Sequence, residues 1–366
     1  MKRTGFVLIL QASWRYYPTA DSLELVSAMK GARILLKGPA PEKLAQMLDA
    51  LAAGIPVTNA RREVMKFSGL NRAAAGKLLK DLFRRGAIVF RKAELTSTDA
   101  NGVYDRQVRF FNAFETSELT GIDFNKQLQD RQVVIVGLGG YGTWLALLCA
   151  RTGISKIVGI DPDRVESSNL NRQVLYSHQD IGRLKIDACK AALAHVNKEV
   201  TFEGHAKWIR SVDDLRPQLE SADLVFNSFG YLPANGRLGE HIARAALRAR
   251  VPSLVFSGSW IGPLTVPGQT ACYWCAKSRL EDNAEVTSVI KASTLSQPTR
   301  FVPSFAPRMA ASASLAVWEA SRFLAGLEPP PSLRGLITLD LFSYNKHRFI
   351  AIDIDPDCRE CGKTSA

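Results

Sequence analysis

A glycine-rich turn, an acidic strand end and two basic residues follow one another within residues 133–185. The apolar run 133–136 predicts a strand, and the glycines after it would let backbone N–H groups approach phosphates at a helix N-terminus. A second predicted strand ends about 20 residues later at Asp161, where a carboxylate suits a ribose hydroxyl. Arg172 and Lys185 follow and indicate triphosphate chemistry rather than hydride transfer. The spacing therefore predicts a site for a nucleoside triphosphate.

Taken together, these residues resemble the E1-like adenylating superfamily, which contains the activators of sulfur carriers and of ubiquitin. The resemblance covers roughly residues 100–366. It implies an α/β fold with a doubly wound, mainly parallel sheet of the Rossmann type. It also implies that ATP and Mg²⁺ are bound, that Arg172 and Lys185 are catalytic, and that Arg106 reaches the site from the partner subunit of a homodimer. The residues expected around the nucleotide are Gly137, Gly139, Gly140, Gly142, Asp161, Asp163, Asn169, Arg172, Gln173 and Lys185.

One residue that the superfamily usually has is absent. A magnesium-binding aspartate is expected just after the fourth strand, near Gly230, and residues 228–233 contain no carboxylate. Asn227 could ligate the ion weakly, or phosphates and water could hold it alone. The sequence leaves both possibilities open.

Four of the six cysteines form two CxxC pairs, Cys272 with Cys275 and Cys358 with Cys361. Four thiolates in two such pairs can form a closed tetrahedral zinc site, which is structural because no ligand position remains open. A redox motif or a disulfide is the alternative. The sequence shows no secretory signal and no apolar run of 18 residues, so we expect a reduced, cytoplasmic protein without a membrane partner.

The stretch between the cysteine pairs also limits the chemistry. Ubiquitin-type activators pass their substrate to a catalytic cysteine in this region, and residues 276–357 contain none. We therefore expect no thioester transfer. The resemblance to peptide-modifying members of the superfamily implies that a carboxylate of a peptide, here a glutamate side chain, is activated as an acyl adenylate. Dehydrative cyclisation in antibiotic biosynthesis would follow. Nucleotide transfer to a peptide C-terminus, or adenylation of the C-terminus of a ubiquitin-like sulfur carrier, is the alternative.

The N-terminal part of the chain differs from the rest in charge. The protein has a net charge of +12, and residues 1–100 hold 17 Lys and Arg against 8 Asp and Glu. Such an excess favours an acidic partner for this part. Phe6–Leu10 is an apolar run of strand length, and residues 33–37 are a candidate partner for it. Two short helices before a strand at 87–90 predict a winged helix-turn-helix module.

That module has two functional interpretations. A DNA reader would place the basic helix 71–85 in a major groove. A peptide clamp would instead hold an extended leader peptide along a strand edge beside that helix. We favour the clamp and expect no nucleic acid, because an enzyme that modifies a peptide must keep the peptide near its ATP.

The expected organisation has three parts. Residues 1–94 form the precursor-peptide recognition domain, residues 95–130 a linker and dimerisation arm, and residues 131–366 the adenylation domain with its zinc site. Alternating strand and helix patterns in the third part predict a mainly parallel sheet. Its strands are expected near 132–136, 156–160, 223–227 and 252–256, and its helices near 142–152, 183–196 and 236–249.

Overall fold

The structure is a computed structural model that describes residues 5–37, 40–94, 102–231, 237–258, 260–281, 304–340, 345 and 348–362. The chain divides into two compact units, Met1–Lys126 and Gln127–Ala366. Residues 102–126 therefore group with the N-terminal unit, whereas residues 95–101 of the expected linker lie outside the described residues. Within the described part of the chain, no helix has the length and apolar composition that a membrane span requires.

The N-terminal unit contains two small antiparallel sheets and a layer of helices. The sheets have the strand orders β5-β1-β6 and β2-β3-β4. The strands are β1 (Phe6–Leu10), β2 (Arg15–Pro18), β3 (Ser22–Ser27), β4 (Ala32–Lys37), β5 (Ile55–Pro56) and β6 (Ile88–Lys92). The helices are α1 (Pro41–Ala53), α2 (Ala60–Ser68), α3 (Arg72–Arg84), α4 (Asp105–Phe111) and α5 (Gly121–Gln129), the last of which contains the division between the units.

The helix pair and strand that predict a winged helix are present as α2, α3 and β6. Asn71 caps α3, since its Oδ1 accepts a hydrogen bond from the Ala74 N–H at 2.9 Å. Such a cap satisfies a donor that the first turn leaves without an intrahelical partner. Apolar side chains of both sheets and of α1–α3 form one buried cluster, with Met47 and Leu48 fully inaccessible.

The expected pairing of residues 33–37 with β1 is wrong. β4 pairs with β3, with Ile34 opposite Leu25, and β1 pairs with β5 and β6. The reason is local, because β3 and β4 are joined by four residues and a short loop costs less closure entropy than a long one. β3 was not predicted, although its alternate residues Leu23 and Leu25 are fully buried.

The segment after β6 is joined to that strand by ionic and backbone contacts. Arg91 of β6 and Glu115 form a buried ion pair with an Nη1–Oε2 distance of 3.5 Å. The neighbouring Lys92 pairs with Glu118, and its N–H donates to the Ser117 carbonyl at 3.4 Å. Residues 115–118 thus belong structurally with β6.

The C-terminal unit is built on one eight-stranded sheet with the order β14-β13-β12-β11-β10-β7-β8-β9. Its strands are β7 (Gln132–Val136), β8 (Lys156–Ile160), β9 (Thr201–His205), β10 (Leu224–Asn227), β11 (Ser253–Phe256), β12 (Trp260–Thr265), β13 (Gly335–Thr338) and β14 (Arg348–Ala351). Its helices are α6 (Gly140–Thr152), α7 (Lys185–Val196), α8 (Arg216–Leu219), α9 (Leu238–Ala249), α10 (Tyr273–Glu281) and α11 (Ala306–Leu324).

The five strands from β11 to β9 are parallel, and β12, β13 and β14 extend the sheet antiparallel. This confirms the expected α/β fold with a doubly wound, mainly parallel sheet. The chain first moves outward from β7 to β8 and β9, then returns to the other side of β7 as β10 and β11. Such a reversal opens a crevice at the carboxyl ends of the strands, where ligands bind in folds of this kind.

Candidate active site

A cleft of about 670 Å³ lies at this reversal. Its walls come from the residues that follow β7, β8, β9 and β10, together with the start of α11. Eight of the predicted site residues line it: Gly137, Gly139, Gly140, Gly142, Asp161, Asp163, Arg172 and Lys185. Asn169 and Gln173 are buried in the loop that carries Arg172. The structure thus brings all of these residues to one place, although their catalytic roles stay predictions.

The glycines form the turn from β7 into α6. Gly137 has a φ of +83°, which favours glycine, and a Cβ at Gly142 would lie 1.8 Å from the Gly137 carbonyl oxygen. A side chain at position 142 would therefore push the turn apart. Gly139 is the N-cap of α6, and within the described residues no side chain caps this end. The first N–H groups of α6 can accordingly donate to an anion in the cleft.

Asp161 ends β8 in a buried position, with 4% of its surface exposed. Its carboxylate accepts hydrogen bonds from the Leu138 N–H at 2.6 Å and the Asp163 N–H at 2.9 Å. Burial raises the pKa of Asp161, and the nearby Lys185 ammonium and these two N–H donors only partly offset the rise. The carboxylate is thereby held against the glycine turn, where it can accept hydrogen bonds from a ribose.

Lys185 is the first residue of α7 and is 6% exposed. Its Nζ lies 2.9 Å from Asp163 Oδ2 and 3.8 Å from Asp161 Oδ1. Asp163 is half exposed, whereas Asp161 is buried. A buried ammonium at the edge of a cleft is suited to neutralise phosphate charge.

The loop between β8 and α7 orients the remaining predicted residues. The Asn169 carboxamide and Glu166 cap a short 3₁₀ turn reciprocally. Arg172 donates to the Ser168 carbonyl through Nη1 at 2.6 Å, which directs its side chain along the loop. Gln173 is 3% exposed, and its Oε1 has no hydrogen-bond partner within the described residues. A buried amide oxygen without a partner marks a place for a ligand or a water molecule.

Arg106 lies elsewhere in the chain. It is exposed on α4, in the N-terminal unit, beside Gln107, whose amide donates to Asn125 Oδ1 at 2.7 Å. Its expected role in the site of a partner subunit stays a prediction.

Part of the cleft wall was not predicted from the sequence. Lys207 and Trp208 follow β9, and Ser304 and Met309 flank the start of α11. Trp208 is 64% exposed, an unusual state for a large aromatic side chain. β9 was not predicted, so nothing in the sequence indicated that the residues after it would face the nucleotide loop.

Both polar atoms of the Asn227 carboxamide form hydrogen bonds within the protein. Its Nδ2 donates to the Gly239 carbonyl at 2.8 Å, and its Oδ1 accepts from the Phe229 N–H at 3.3 Å. The side chain is fully buried and joins β10 to the start of α9. This arrangement argues against Asn227 as the Mg²⁺ ligand.

The four cysteines of the CxxC pairs meet in one buried cluster. Their Sγ atoms all lie within 4.8 Å of one another. The Cys272–Cys275, Cys272–Cys358 and Cys275–Cys361 separations are 3.7, 3.6 and 3.4 Å. Zinc bonds to sulfur of about 2.3 Å in a tetrahedron require sulfur separations of about 3.8 Å. The donor set and its spacing therefore fit Zn²⁺, which would join the segment after β14 to the start of α10.

An arginine supports this cluster from outside. Arg244 of α9 donates to both carboxylate oxygens of Glu360, at 2.6 to 3.2 Å, and Glu360 lies within the second CxxC pair. The Arg244 guanidinium also stacks on Trp274 of the first pair, 4.8 Å from the ring centroid. Both cysteine pairs are thereby fixed to the same helix.

The fold and the cleft together define an α/β protein that binds a nucleotide at the switch point of its sheet. The chain belongs to the ThiF family, whose model matches residues 104–360. Two curated relatives from Escherichia coli (strain K12) are similar over 67% of this chain. The sulfur carrier protein ThiS adenylyltransferase is 26% identical over 91% of its length, and the molybdopterin-synthase adenylyltransferase is 29% identical over 93%.

Solved structures extend the similarity to the N-terminal part of the chain. Escherichia coli MccB with ATP has a TM-score of 0.76 at 23% identity and covers 97% of this chain and all of its own. The microcin C7 biosynthetic enzyme MccB in complex with N-formylated MccA has a TM-score of 0.74 at 22% identity, with the same coverage. PaaA has a TM-score of 0.61 at 23% identity and covers 76% of this chain and 92% of its own. At these identities the likeness establishes the fold.

The resemblance to the E1-like superfamily is confirmed by the family match and by these relatives. The chain is accordingly an ATP-dependent adenylating enzyme.

Proposed function

We propose that this enzyme activates a carboxylate of a ribosomally made precursor peptide as an acyl adenylate and then closes a ring with loss of water. The carboxylate is a glutamate side chain, and the peptide is held through the N-terminal unit. A pantocin-like antibiotic peptide is the kind of product that this chemistry gives. The observation that carries the proposal is a groove in that unit that is lined by apolar side chains and three cations.

The groove has a volume of about 380 Å³ and lies between α2, α3 and the sheet that contains β1 and β6. Its lining is mostly apolar and includes three cations. The apolar residues include Leu8, Leu79, Phe83, Ile88 and Phe90, and the cations are Arg61, Arg72 and Lys80. Within the described residues β6 is the last strand of its sheet, and the Lys92 N–H at its end already donates to the Ser117 carbonyl. An extended chain can therefore lie beside the first part of β6, Ile88–Phe90. Such a groove suits a peptide with a large apolar side chain next to acidic residues.

Three further observations support the proposal. The curated relatives match nearly all of their own length but only 67% of this chain, so the N-terminal unit is additional to an ordinary sulfur-carrier activator. One similar structure holds MccB with N-formylated MccA, which is consistent with a fold that accommodates such a substrate. The absence of cysteine from residues 276–357 favours chemistry directly on the adenylate.

In the proposed reaction, a carboxylate oxygen attacks the α-phosphate of ATP and pyrophosphate leaves. Asp161 holds the ribose, the N-terminus of α6 receives phosphate oxygens, and Lys185 and Arg172 stabilise the developing charge. With the Asn227 amide used within the fold, Mg²⁺ would be held by the phosphates and water and would neutralise part of the phosphate charge. An amide nitrogen of the peptide then attacks the acyl carbon and AMP leaves. The peptide has lost one water, whose atoms remain in AMP and pyrophosphate.

Two other outcomes use the same cleft. Transfer of the nucleotide to a peptide C-terminus would leave a stable linkage instead of a ring. Adenylation of the C-terminus of a ubiquitin-like sulfur carrier is favoured by the similarity to the ThiS and molybdopterin-synthase adenylyltransferases.

Mass spectrometry separates these outcomes. Peptides encoded beside the gene are incubated with the protein, ATP and Mg²⁺, and the sulfur carrier ThiS is tested in parallel. Loss of water from a peptide supports cyclisation, whereas a gain of AMP indicates nucleotide transfer. An unchanged peptide together with an adenylated carrier would contradict a peptide substrate.

Substitutions in the groove are expected to weaken peptide binding without affecting ATP. Phe83→Ala should lower the affinity about 10-fold, because burying a phenylalanine on binding is worth about 1.5–3 kcal/mol. Lys80→Glu should weaken binding of an acidic peptide further, with an effect that shrinks as salt is added. Fluorescence anisotropy with a labelled peptide measures both changes. Lys77, exposed on the same helix but outside the groove, provides the control variant Lys77→Glu. Equal losses for the two lysine variants would refute the groove.

The predicted role of Arg106 across a homodimer can be tested by mixing inactive subunits. Arg106→Ala and Lys185→Ala proteins should each lack activity. Co-refolded in equal amounts, they should recover about a quarter of the native rate, because half of the dimers are mixed and each then has one intact site. Recovery near zero would show that each site uses the arginine of its own chain.

A further inference from the structure

Two polar side chains near the carboxyl end of β11, Tyr141 and Arg308, have no role in the nucleotide binding described above. Tyr141 lies in the first turn of α6 and lines the cleft. Arg308 lies in the first turn of α11, next to the cleft residue Met309. A Cβ at Gly258 would lie 2.6 Å from Arg308 Nη2 and 2.8 Å from the Tyr141 hydroxyl oxygen. The guanidinium and the hydroxyl therefore converge over this glycine.

The surrounding packing holds Tyr141 in this orientation. Its ring meets Phe256 edge-on, with centroids 5.3 Å apart and an interplanar angle of 75°. Burial raises the pKa of Tyr141, and the positive charge of Arg308 acts in the opposite direction. The phenol is accordingly a neutral hydrogen-bond donor at neutral pH.

The position of Arg308 conflicts with the local preference of a helix. α11 has 19 residues, and its first turn contains this cation and no acidic residue. The N-terminal end of a helix carries partial positive charge and favours anions, so a cation there is unfavourable. Local conflicts of this kind are typical of functional positions. Here the helix end and the guanidinium both bring positive charge to the side of the cleft.

The start of α11 is also close to the phosphate loop. The Met309 thioether is near enough to Gly140 that a Cβ at that glycine would lie 3.3 Å from the sulfur. An anion held by Tyr141 and Arg308 would therefore be close to a nucleotide bound at the N-terminus of α6. That is where a second, attacking substrate must lie.

We infer that Tyr141 and Arg308 form the subsite that receives the carboxylate to be adenylated. The inference rests on the carboxylate activation proposed above, and it applies to a peptide side chain and to a carrier C-terminus alike. One carboxylate oxygen accepts hydrogen bonds from the phenol and the guanidinium. The other attacks the α-phosphate, and the bond to pyrophosphate breaks with its electron pair. Arg308 offsets the repulsion between the carboxylate and the triphosphate, and an ionised carboxylate needs no general base.

The test is ATP–pyrophosphate exchange with purified full-length protein. Exchange is measured against the concentration of synthetic precursor peptide and, in parallel, of the sulfur carrier ThiS. The dissociation constant for ATP is measured separately by calorimetry. Arg308→Gln and Tyr141→Phe should each raise the KM for the carboxylate substrate about 10- to 100-fold, the value of a hydrogen bond to a charged group. The dissociation constant for ATP should change less than about twofold.

Two variants keep the result interpretable. Tyr141→Phe preserves the ring packing on Phe256, so it reports on the hydroxyl even if the Arg308 variants fold poorly. Arg248→Gln removes an exposed arginine of α9 and should leave both constants unchanged.

Several results would overturn the inference. An unchanged KM in both cleft variants would show that the pair does not contact the carboxylate. A rise in the ATP dissociation constant equal to that in KM would assign Arg308 to the phosphates instead. Exchange with ThiS alone would refute the proposed peptide substrate but not the subsite, which the comparison of KM values with ThiS would then test. If neither the peptide nor ThiS supports exchange, both the proposed carboxylate activation and the subsite would be overturned.

Discussion

Replacing Lys185 with alanine is expected to lower the rate of adenylation about 100- to 1000-fold, the usual effect of removing a group that stabilises charge in a transition state. The physical reason is the burial of Lys185, whose Nζ is 2.9 Å from Asp163 and 3.8 Å from Asp161. Because the Lys185 ammonium is buried, water cannot readily replace its positive charge when negative charge develops on the phosphates. ATP–pyrophosphate exchange measures the loss, and peptide affinity should be unchanged.

The substitution also removes the cation that faces a buried carboxylate, so folding must be checked separately. A protein with both Lys185→Met and Asp161→Asn removes the buried carboxylate charge together with its cation, so it should unfold close to the native temperature while remaining inactive. Lys190→Ala, an exposed position on the same helix, should retain full activity. Near-normal exchange by Lys185→Ala would remove Lys185 from the phosphate site.

Loss of one metal ligand is expected to have the largest effect on stability. Cys358→Ser should abolish zinc binding and lower the free energy of unfolding by at least about 4 kcal/mol, since loss of a metal site belongs to the most damaging substitutions. In a unit of this size the midpoint of thermal unfolding should fall by about 10 °C. Metal content by mass spectrometry and thermal unfolding measure the two effects.

A second cysteine provides the control. Cys189→Ala removes a buried thiol of α7 outside the cluster and should leave the zinc content unchanged. Chelation of the native protein should reproduce the loss of stability seen for Cys358→Ser. Thiol titration that finds two disulfides in place of four free thiols would refute the zinc site.

The sheet of the C-terminal unit was largely predictable because its central strands are buried on both faces. Such strands appear in the sequence as continuous apolar runs, and the predicted ranges 132–136 and 156–160 coincide with β7 and β8. The predicted strands at 223–227 and 252–256 match β10 and β11 to within one residue. Prediction failed for β9, an edge strand whose exposed Thr201 and Glu203 alternate with Phe202.

The motif residues of the site were predictable for a different reason. Gly137, Asp161 and Lys185 follow strands or open helices, and the order of these elements along the chain places them together. Trp208 and Arg308 have no such signal, because their neighbours in space come from distant parts of the sequence. The same limit explains the wrong partner assigned to β1, since an apolar run shows that a strand forms but not which strand it pairs with.

The ion pair between Arg91 and Glu115 determines where the N-terminal unit can be separated from the rest. A transplantable recognition module that ended at residue 94 would lack Glu115 and leave the buried Arg91 guanidinium alone, at a cost of about 3–5 kcal/mol. A cut after residue 126, where the compact unit ends, keeps both charges. Grafting this unit onto another peptide-modifying enzyme therefore requires the longer fragment, which also carries Arg106 with it.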